Sequence, residues 1–413
     1  MRALIVSPLF PCPLLSGGHT RVSNLLREMG RRHELNLVSL ITPEQLEFAG
    51  TLEGLQAPPE LAVARRNYEL REKVREAASP EQWRRTVRRY TDRLRGVPRE
   101  VMRHYFPEMA GKLKQTLRRG TYEVVQLEYT AMGWYLPVVR RLAPRARVVL
   151  EEIDISYIAM QRLLDSGNGL PVNGLVREVT RMERYERDLW KRCGAVVTMS
   201  EIDRRHIGRF VPLDKVWTVP NGVDVEHFVF QPRPTQTQSI LFLGYFEHLP
   251  NVAGLRYFFR DIWPEVRRRC PSSRLEVVGK SAPEDIRAMH GRDGISVHGF
   301  VPDVRPLMQT CRLMVVPILS GGGTRLKVLE AFAAGLPVVS TTIGCEGIEI
   351  EDGVNVCLAD TSAKFADAVT RLFDDHVRAQ AMAERARRLV AQKYSWRAIA
   401  REWEKVWTDD RRN

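Results

Sequence analysis

Residues 317–341 read PILSGGGTRLKVLEAFAAGLPVVST. The apolar run 313–316 ends at Pro317, three glycines follow at 321–323, a helical pattern runs from Thr324 to Gly335, and Pro337 opens the next apolar run. Strand, loop, helix and strand in that order make a parallel-sheet unit. A glycine-rich loop feeding a helix N-terminus is also an anion site. Its N–H groups have no intrahelical partner, the helix dipole favours negative charge, and glycine lets a phosphate approach the backbone. Arg325 and Lys327 place cations in the first turn, where the dipole disfavours them, so an anion is expected there. Glu330, further along, is placed to accept from sugar hydroxyls. Together these residues suit a sugar nucleotide, with diphosphate at the loop and ribose at the carboxylate. The competing reading is a plain strand–turn–helix whose glycines only make the turn.

The same alternation extends through most of the chain. Short β-branched runs recur at 4–6, 35–40, 123–127, 148–150, 195–199 and 216–219, and a second series at 240–243, 275–278, 295–297, 313–316 and 338–340. Continuous apolar strands separated by amphipathic helices predict parallel sheets covered on both faces, and two series predict two doubly wound α/β domains. The polar, proline-marked stretch 229–238 reads as the linker. The boundaries expected are therefore an N-terminal Rossmann-like domain at 1–229, a C-terminal one at 230–392 and a closing helix at 393–413. Residues 60–120, cut by prolines at 80, 98 and 107, read as a helical insert in the first domain. In the closing helix Trp396, Ile399, Trp403 and Trp407 fall on one broad face. Two such domains facing each other make a cleft between the C-terminal edges of their sheets, where ligands of such sheets bind.

Composition narrows the class. A chain of 413 residues exceeds what one core usually supports, and 44% hydrophobic with 27% charged residues is ordinary for a globular protein. No apolar run reaches the ~20 residues of a membrane span. The N-terminal run MRALIVSPLFPCPLL is short and proline-broken, so it reads as a buried first strand rather than a leader. Six scattered cysteines form no CxxC, which argues against a zinc site or disulfide framework and fits a reducing cytoplasm. The nine histidines form no HExxH, and no GxSxG is present. Of the net charge of +13, a net +10 lies in residues 61–120, with 17 Lys/Arg against 7 Asp/Glu. Such a patch suits an anionic lipid surface or a phosphorylated substrate; a solvated helical face is the bland alternative. It lacks the interleaved aromatics and modules of a nucleic-acid binder.

The motifs in sequence order resemble glycosyltransferase family 4, the retaining GT-B transferases. The markers are LLSGGHTRVSNLL with Gly17 and Gly18, VVTMSEID at 196–203, VPNGVDVEHF at 219–228, ILFLGYFEHLPNVAGL at 240–255, VHGFVPD at 297–303, the 317–341 stretch, and YSW at 394–396. The GGGTRLKxLEA loop–helix marks a subgroup. The resemblance implies transfer of a sugar from a nucleotide donor, a UDP- or GDP-sugar, to an acceptor hydroxyl with anomeric configuration retained. It implies no cofactor and no metal, because cationic side chains and a helix N-terminus stabilise the diphosphate. It puts the donor on the second domain, the acceptor on the first, and the closing helix back across to the first. The acceptor expected is a saccharide or a polyprenyl-diphosphate-linked sugar, met at the inner face of the cell membrane.

Glu330 matches the second acid of the family's E-x7-E motif, which binds ribose, but the first acid is replaced by Gly322. Tyr245, after Gly244, replaces the family's diphosphate arginine, and Pro250–Asn251 occupies the region of its lysine. Arg325 and Lys327 are therefore the candidates for leaving-group charge, with Gly322, Gly323 and Thr324 as loop partners. Gly17 and Gly18 are expected near the donor from the first domain, and Phe300 and Val301 are expected to hold the base. Asn221 is expected near the donor in a tight turn. In EEIDISY (151–157) Ile153 stands where the family has histidine. Asp154 then steadies the sugar or simply caps a helix. Glu128, Glu152 and His19 are the candidates on the acceptor side. A non-catalytic partner subunit and a sugar-nucleotide epimerase are the alternative readings.

Overall fold

The structure, a computed structural model, describes residues 1–14, 17–64, 96–165, 172–231, 237–321 and 324–409. It divides into two compact units, Met1–Val219 with Ala400–Asn413, and Pro220–Ile399. The change of unit at 219–220 comes ten residues before the polar stretch read as the linker, part of which lies outside the described residues.

The first unit is built on a seven-stranded parallel sheet: β1 (Arg2–Ser7), β2 (Glu34–Ile41), β3 (Glu60–Val63), β4 (Val124–Glu128), β5 (Arg147–Glu152), β6 (Ala195–Thr198) and β7 (Val216–Thr218). Their spatial order is β3-β2-β1-β4-β5-β6-β7. The second unit holds β8 (Ser239–Leu243), β9 (Arg274–Val278), β10 (Ile295–Gly299), β11 (Leu313–Val316), β12 (Val338–Ser340) and β13 (Cys357–Leu358), ordered β10-β9-β8-β11-β12-β13. Central strands such as β4 and β11 are buried along their whole length, as parallel sheets covered on both faces require. In each sheet the chain reverses its direction of travel once, between β1 and β4 and between β8 and β11. At those switch points the strand ends and their loops diverge, leaving a crevice at the C-terminal edge.

Two strands escape the sequence reading. Glu60–Val63 is a four-residue edge strand inside what reads as the helical insert, preceded by prolines 58 and 59. Cys357–Leu358 is two residues long, too short to leave a periodicity. Of the expected insert, helices Arg99–Arg103 and Pro107–Arg119 are described and 65–95 lies outside the described residues.

The closing helix spans Trp396–Thr408. Trp396, Ile399, Trp403 and Trp407 are all buried, so the apolar face read from their spacing is real. Trp403 and Trp407 donate their indole N–H groups to Gln126 Oε1 on β4, at 2.8 and 3.1 Å. Ser200, in the VVTMSEID segment, caps the helix Glu201–Ile207 by accepting from the Asp203 N–H at 3.1 Å, a structural duty. Among the described residues no helix is long and apolar enough to cross a membrane.

Candidate functional site

In the second unit the site forms at the β8/β11 switch point. The helix after β11 begins at Leu326, two residues later than the sequence pattern suggests, and Arg325 is its N-cap residue. Arg325 is only 9% exposed. Its guanidinium lies against Gly321, which holds a φ of +108° open to glycine alone, and a Cβ there would stand 3.1 Å from Nη2. Thr324 Oγ1 is buried with no hydrogen-bond partner among the described residues. Gly322 and Gly323 lie outside the described residues.

Lys327 turns toward β8. Its ammonium donates to the Leu243 carbonyl at 2.5 Å and to Asn251 Oδ1 at 2.8 Å, and sits 5.2 Å from the centre of the Phe242 ring. Burial, then the neighbouring Arg325, pushes its pKa down to about 7, against the pull of Glu330. Burial pushes the Glu330 carboxyl up to about 7, with Lys327 opposing. Glu330 receives no protein hydrogen bond among the described residues. Asn251 in turn donates to the Tyr245 carbonyl at 2.9 Å, so the loop after β8 and the helix after β11 are tied through one amide. The Gly244 N–H bonds the Val278 carbonyl at 3.0 Å. The Tyr245 ring is exposed, and its hydroxyl is drawn to Glu247. His248 is held below its ordinary pKa by burial and then by Arg325 and Lys327. Three cationic or titratable bases thus crowd one strand edge with Glu330 as the nearby acid.

Three further expected donor residues lie on other segments of the second unit. Phe300 is 66% exposed just after β10, two strands from the switch point, and Val301 packs against the core. Asn221 is buried, and its neighbour Gly222 lies so close to Trp396 that a Cβ would meet the indole at 2.6 Å.

In the first unit the β1/β4 switch point holds a buried polar network. Gly17 and Gly18 open the helix Gly17–Met29, and burial lowers the pKa of His19 beside them. Arg21, with no exposed surface, pairs through Nε with Glu151, itself fully buried. Arg21 also donates to the Val219 carbonyl at 2.8 Å and lies 5.2 Å from the Trp403 ring. Gln126 donates to Glu128, whose other oxygen, Oε2, is buried without a hydrogen-bond partner among the described residues. Burial and then Glu151 raise the pKa of Glu128 well above its ordinary value. Asp154 is exposed at the end of β5, near enough to act on Tyr129 and Glu152.

Glu152 goes elsewhere. Adjacent residues of a strand point to opposite faces, so with Glu151 on the network side Glu152 faces the helices. Thr130 bonds one of its oxygens and Trp190 donates to the other at 2.9 Å. Burial and then Glu186 raise its pKa well above the ordinary value. With both oxygens bonded inside the core, Glu152 braces the fold in this state. A cavity of about 360 Å³ opens on the helix-covered flank between Tyr105, Trp134 and Tyr185; none of the expected site residues lines it. Among the described residues no three His, Cys, Asp or Glu side chains group as a metal requires.

Residues 237–375 match the model of the family described as glycosyl transferases group 1. This segment is similar to the group 1 glycosyl transferases. It contains β8 to β13 and the whole Arg325–Lys327–Glu330 cluster. The phosphatidyl-myo-inositol mannosyltransferase of Mycobacterium tuberculosis is 27% identical over 228 residues, 51% of this chain and 58% of the relative's length. The chain therefore matches little more than half of that relative. Among solved structures, sucrose-phosphate synthase from Thermosynechococcus elongatus superposes with a TM-score of 0.67 at 16% identity, covering 98% of each chain. Anabaena HepE in complex with UDP and glucose superposes with a TM-score of 0.65 at 15% identity, again covering 98% of each. At such identities the likeness concerns the fold, which is the two-sheet GT-B architecture.

Four residues of the two switch points carry no assigned role in the sequence reading: Asn251 and His248 beside the cations of the second unit, and Glu151 and Tyr129 in the first unit. VVQLE and LEE carried a usable signal, since polar residues inside otherwise apolar buried strands require partners.

Proposed function

We propose that this protein is a nucleotide-sugar glycosyltransferase that retains anomeric configuration and works without a metal. The observation that carries the reading is the pair Arg325 and Lys327, held together at a loop–helix junction with Glu330 one turn on. Like charges brought this close are stable where an anion is received, and charge placed at a departing diphosphate is commonly the largest catalytic term. Arg325, the helix N-terminus and Lys327 receive the diphosphate, and Glu330 receives the ribose hydroxyls. The bond from the anomeric carbon to the diphosphate oxygen breaks as the acceptor oxygen bonds that carbon on the same face. The acceptor proton passes to the departing oxygen, so no separate protein base is required. Support also comes from similar proteins: HepE was solved with UDP and glucose, and the mycobacterial relative is named phosphatidyl-myo-inositol mannosyltransferase. The acceptor is a saccharide or a lipid-linked sugar of cell-surface polysaccharide or glycolipid synthesis, met on the first unit at an anionic membrane surface.

The test is thermal stability against UDP, GDP, ADP, dTDP and CMP, with and without EDTA. A ligand at 100 times its Kd adds about 2.7 kcal/mol to the folded state. One nucleotide should shift the melt equally in both conditions. A shift abolished by EDTA overturns the metal-free step, and no shift with any nucleotide favours a non-catalytic partner subunit.

A further inference from the structure

Tyr129 follows the last residue of β4, and its φ is +64°, in the left-handed region that a bulky side chain rarely adopts. A helix, Tyr129–Met132, starts at that same residue. Strand, strained residue and helix in immediate succession make an elbow. Such a turn lifts the side chain of its apex above the sheet, as in the strand–turn–helix that presents a hydrolase nucleophile. The elbow stands at the β1/β4 switch point, the place where ligands of this architecture bind.

Strain of this kind persists only where the surroundings enforce it, and here they do. Thr130, the next residue, is buried, and its Oγ1 bonds Glu152 and lies 3.0 Å from Glu186 Oε1. Gln126 fixes Glu128 on the preceding side. Beyond the short helix Gly133 lets the chain meet the helix Val172–Arg192, since a Cβ there would stand 2.3 Å from Leu189. The buried acids Glu152 and Glu186 thus brace the elbow from below. Above it the Tyr129 ring is half-buried, near enough to Glu128, Glu151, Asp154 and Arg21 to respond to their charges. Among the described residues its hydroxyl has no hydrogen-bond partner. Burial and those carboxyls hold the phenol above its ordinary pKa, so it is a proton donor at neutral pH.

We propose that Tyr129 is a substrate-contacting specificity residue, its phenol hydroxyl donating to a hydroxyl of a bound sugar at the C-terminal edge of the first sheet beside Asp154. The ligand class is a polyol, the chemistry that an exposed carboxylate and a lone phenol recognise together. The inference rests on the glycosyl-transfer reading and assigns part of its acceptor recognition.

Two variants separate binding from folding. Tyr129→Phe removes only the hydroxyl. Tyr129→Gly removes ring and strain together, and should melt no lower than wild type, whereas a residue needed only for packing would melt lower. The binding probe is saturation-transfer NMR with methyl glucosides, galactosides and mannosides in the presence of UDP, or of whichever nucleotide shifts the melt. Wild type should saturate at least one glycoside. Tyr129→Phe should cut that signal at least five-fold with the nucleotide-induced melting shift intact. Full signal in Tyr129→Phe overturns the proposal, as does a wild type that saturates no glycoside while a nucleotide shifts its melt. Absence of both responses removes the glycosyl-transfer reading and the proposal with it.

Discussion

Lys327 reaches back from the helix after β11 to Asn251 on the helix after β8, donating to its Oδ1 at 2.8 Å. The family's lysine is expected in the Pro250–Asn251 region of the sequence; here an ammonium is held at Asn251 by a residue 76 positions later. A neutral amide leaves that ammonium's charge available to a ligand. Asn251→Asp supplies a carboxylate instead. It should raise the Lys327 pKa and weaken nucleoside diphosphate binding about ten-fold, roughly 1.4 kcal/mol, with no loss of melting temperature. Calorimetric titration with UDP and GDP measures this, and unchanged affinity would remove Lys327 from the diphosphate site.

The depressed Lys327 pKa of about 7 makes binding take up protons. A diphosphate beside the ammonium favours its charged form, so at pH 8 binding should be accompanied by uptake of up to about one proton. Titrations in buffers of differing ionisation enthalpy detect it, and Lys327→Met should abolish it. Stability follows a definite sign. Between about pH 7 and the ordinary lysine value near 10.4 the unfolded chain binds more protons at this group, so its contribution to stability rises with pH. Glu330, raised to about 7, acts oppositely. The folded chain holds the extra proton between about pH 4.3 and 7, and stability from this group falls as pH rises through that window.

Loss of both cations should be catalytic rather than structural. Arg325→Ala with Lys327→Ala is expected to lower turnover at least a hundred-fold, since removal of one preorganised charge-stabilising group alone costs about that much. The melting temperature should stay within a few degrees of wild type. Near-normal turnover would sink the assignment.

Arg21 and Glu151 present the contrasting case of a pair with no exposed surface. Removing one partner leaves a buried charge uncompensated, so Arg21→Met or Glu151→Leu should each destabilise the first unit by about 3–5 kcal/mol. The double variant should regain most of that loss. Urea unfolding followed by near-ultraviolet circular dichroism reports the Trp403 environment directly. Additive losses in the double variant would show that the pair is not coupled.

The basic stretch 61–120 should bring the protein to anionic lipid. Flotation is expected to recover it with vesicles containing phosphatidylglycerol, less so at high salt, and not with phosphatidylcholine alone. Equal recovery with both vesicles would refute the electrostatic account.

Both sheets were readable from the strand–helix alternation because β8 and β11 are largely apolar runs, and β4 and β5 hold apolar stretches, that a doubly covered sheet accommodates. The edge strands at 60–63 and 357–358 were not, because an edge strand of two to four residues carries little pattern. Glycines and cations at 321–327 suggest an anion site from sequence alone, since their chemistry is local. The direction taken by Lys327, across to Asn251, depends on which strands neighbour each other and is invisible to spacing. Glu151 and Glu152 look alike in sequence, yet strand alternation sends one to Arg21 and the other to Trp190. Tyr129 is a backbone matter: nothing in a tyrosine announces a φ of +64°.

The closing helix changes how the molecule must be made. Gln126 and Arg21 acquire their indole neighbours from Trp403 and Trp407, which are synthesised after the whole second sheet. On a ribosome the first unit therefore waits with its polar network uncovered while the second folds, reversing the usual order in which the N-terminal domain is finished first. Released chains truncated after residue 399 should hold a completed second unit and a protease-sensitive first one.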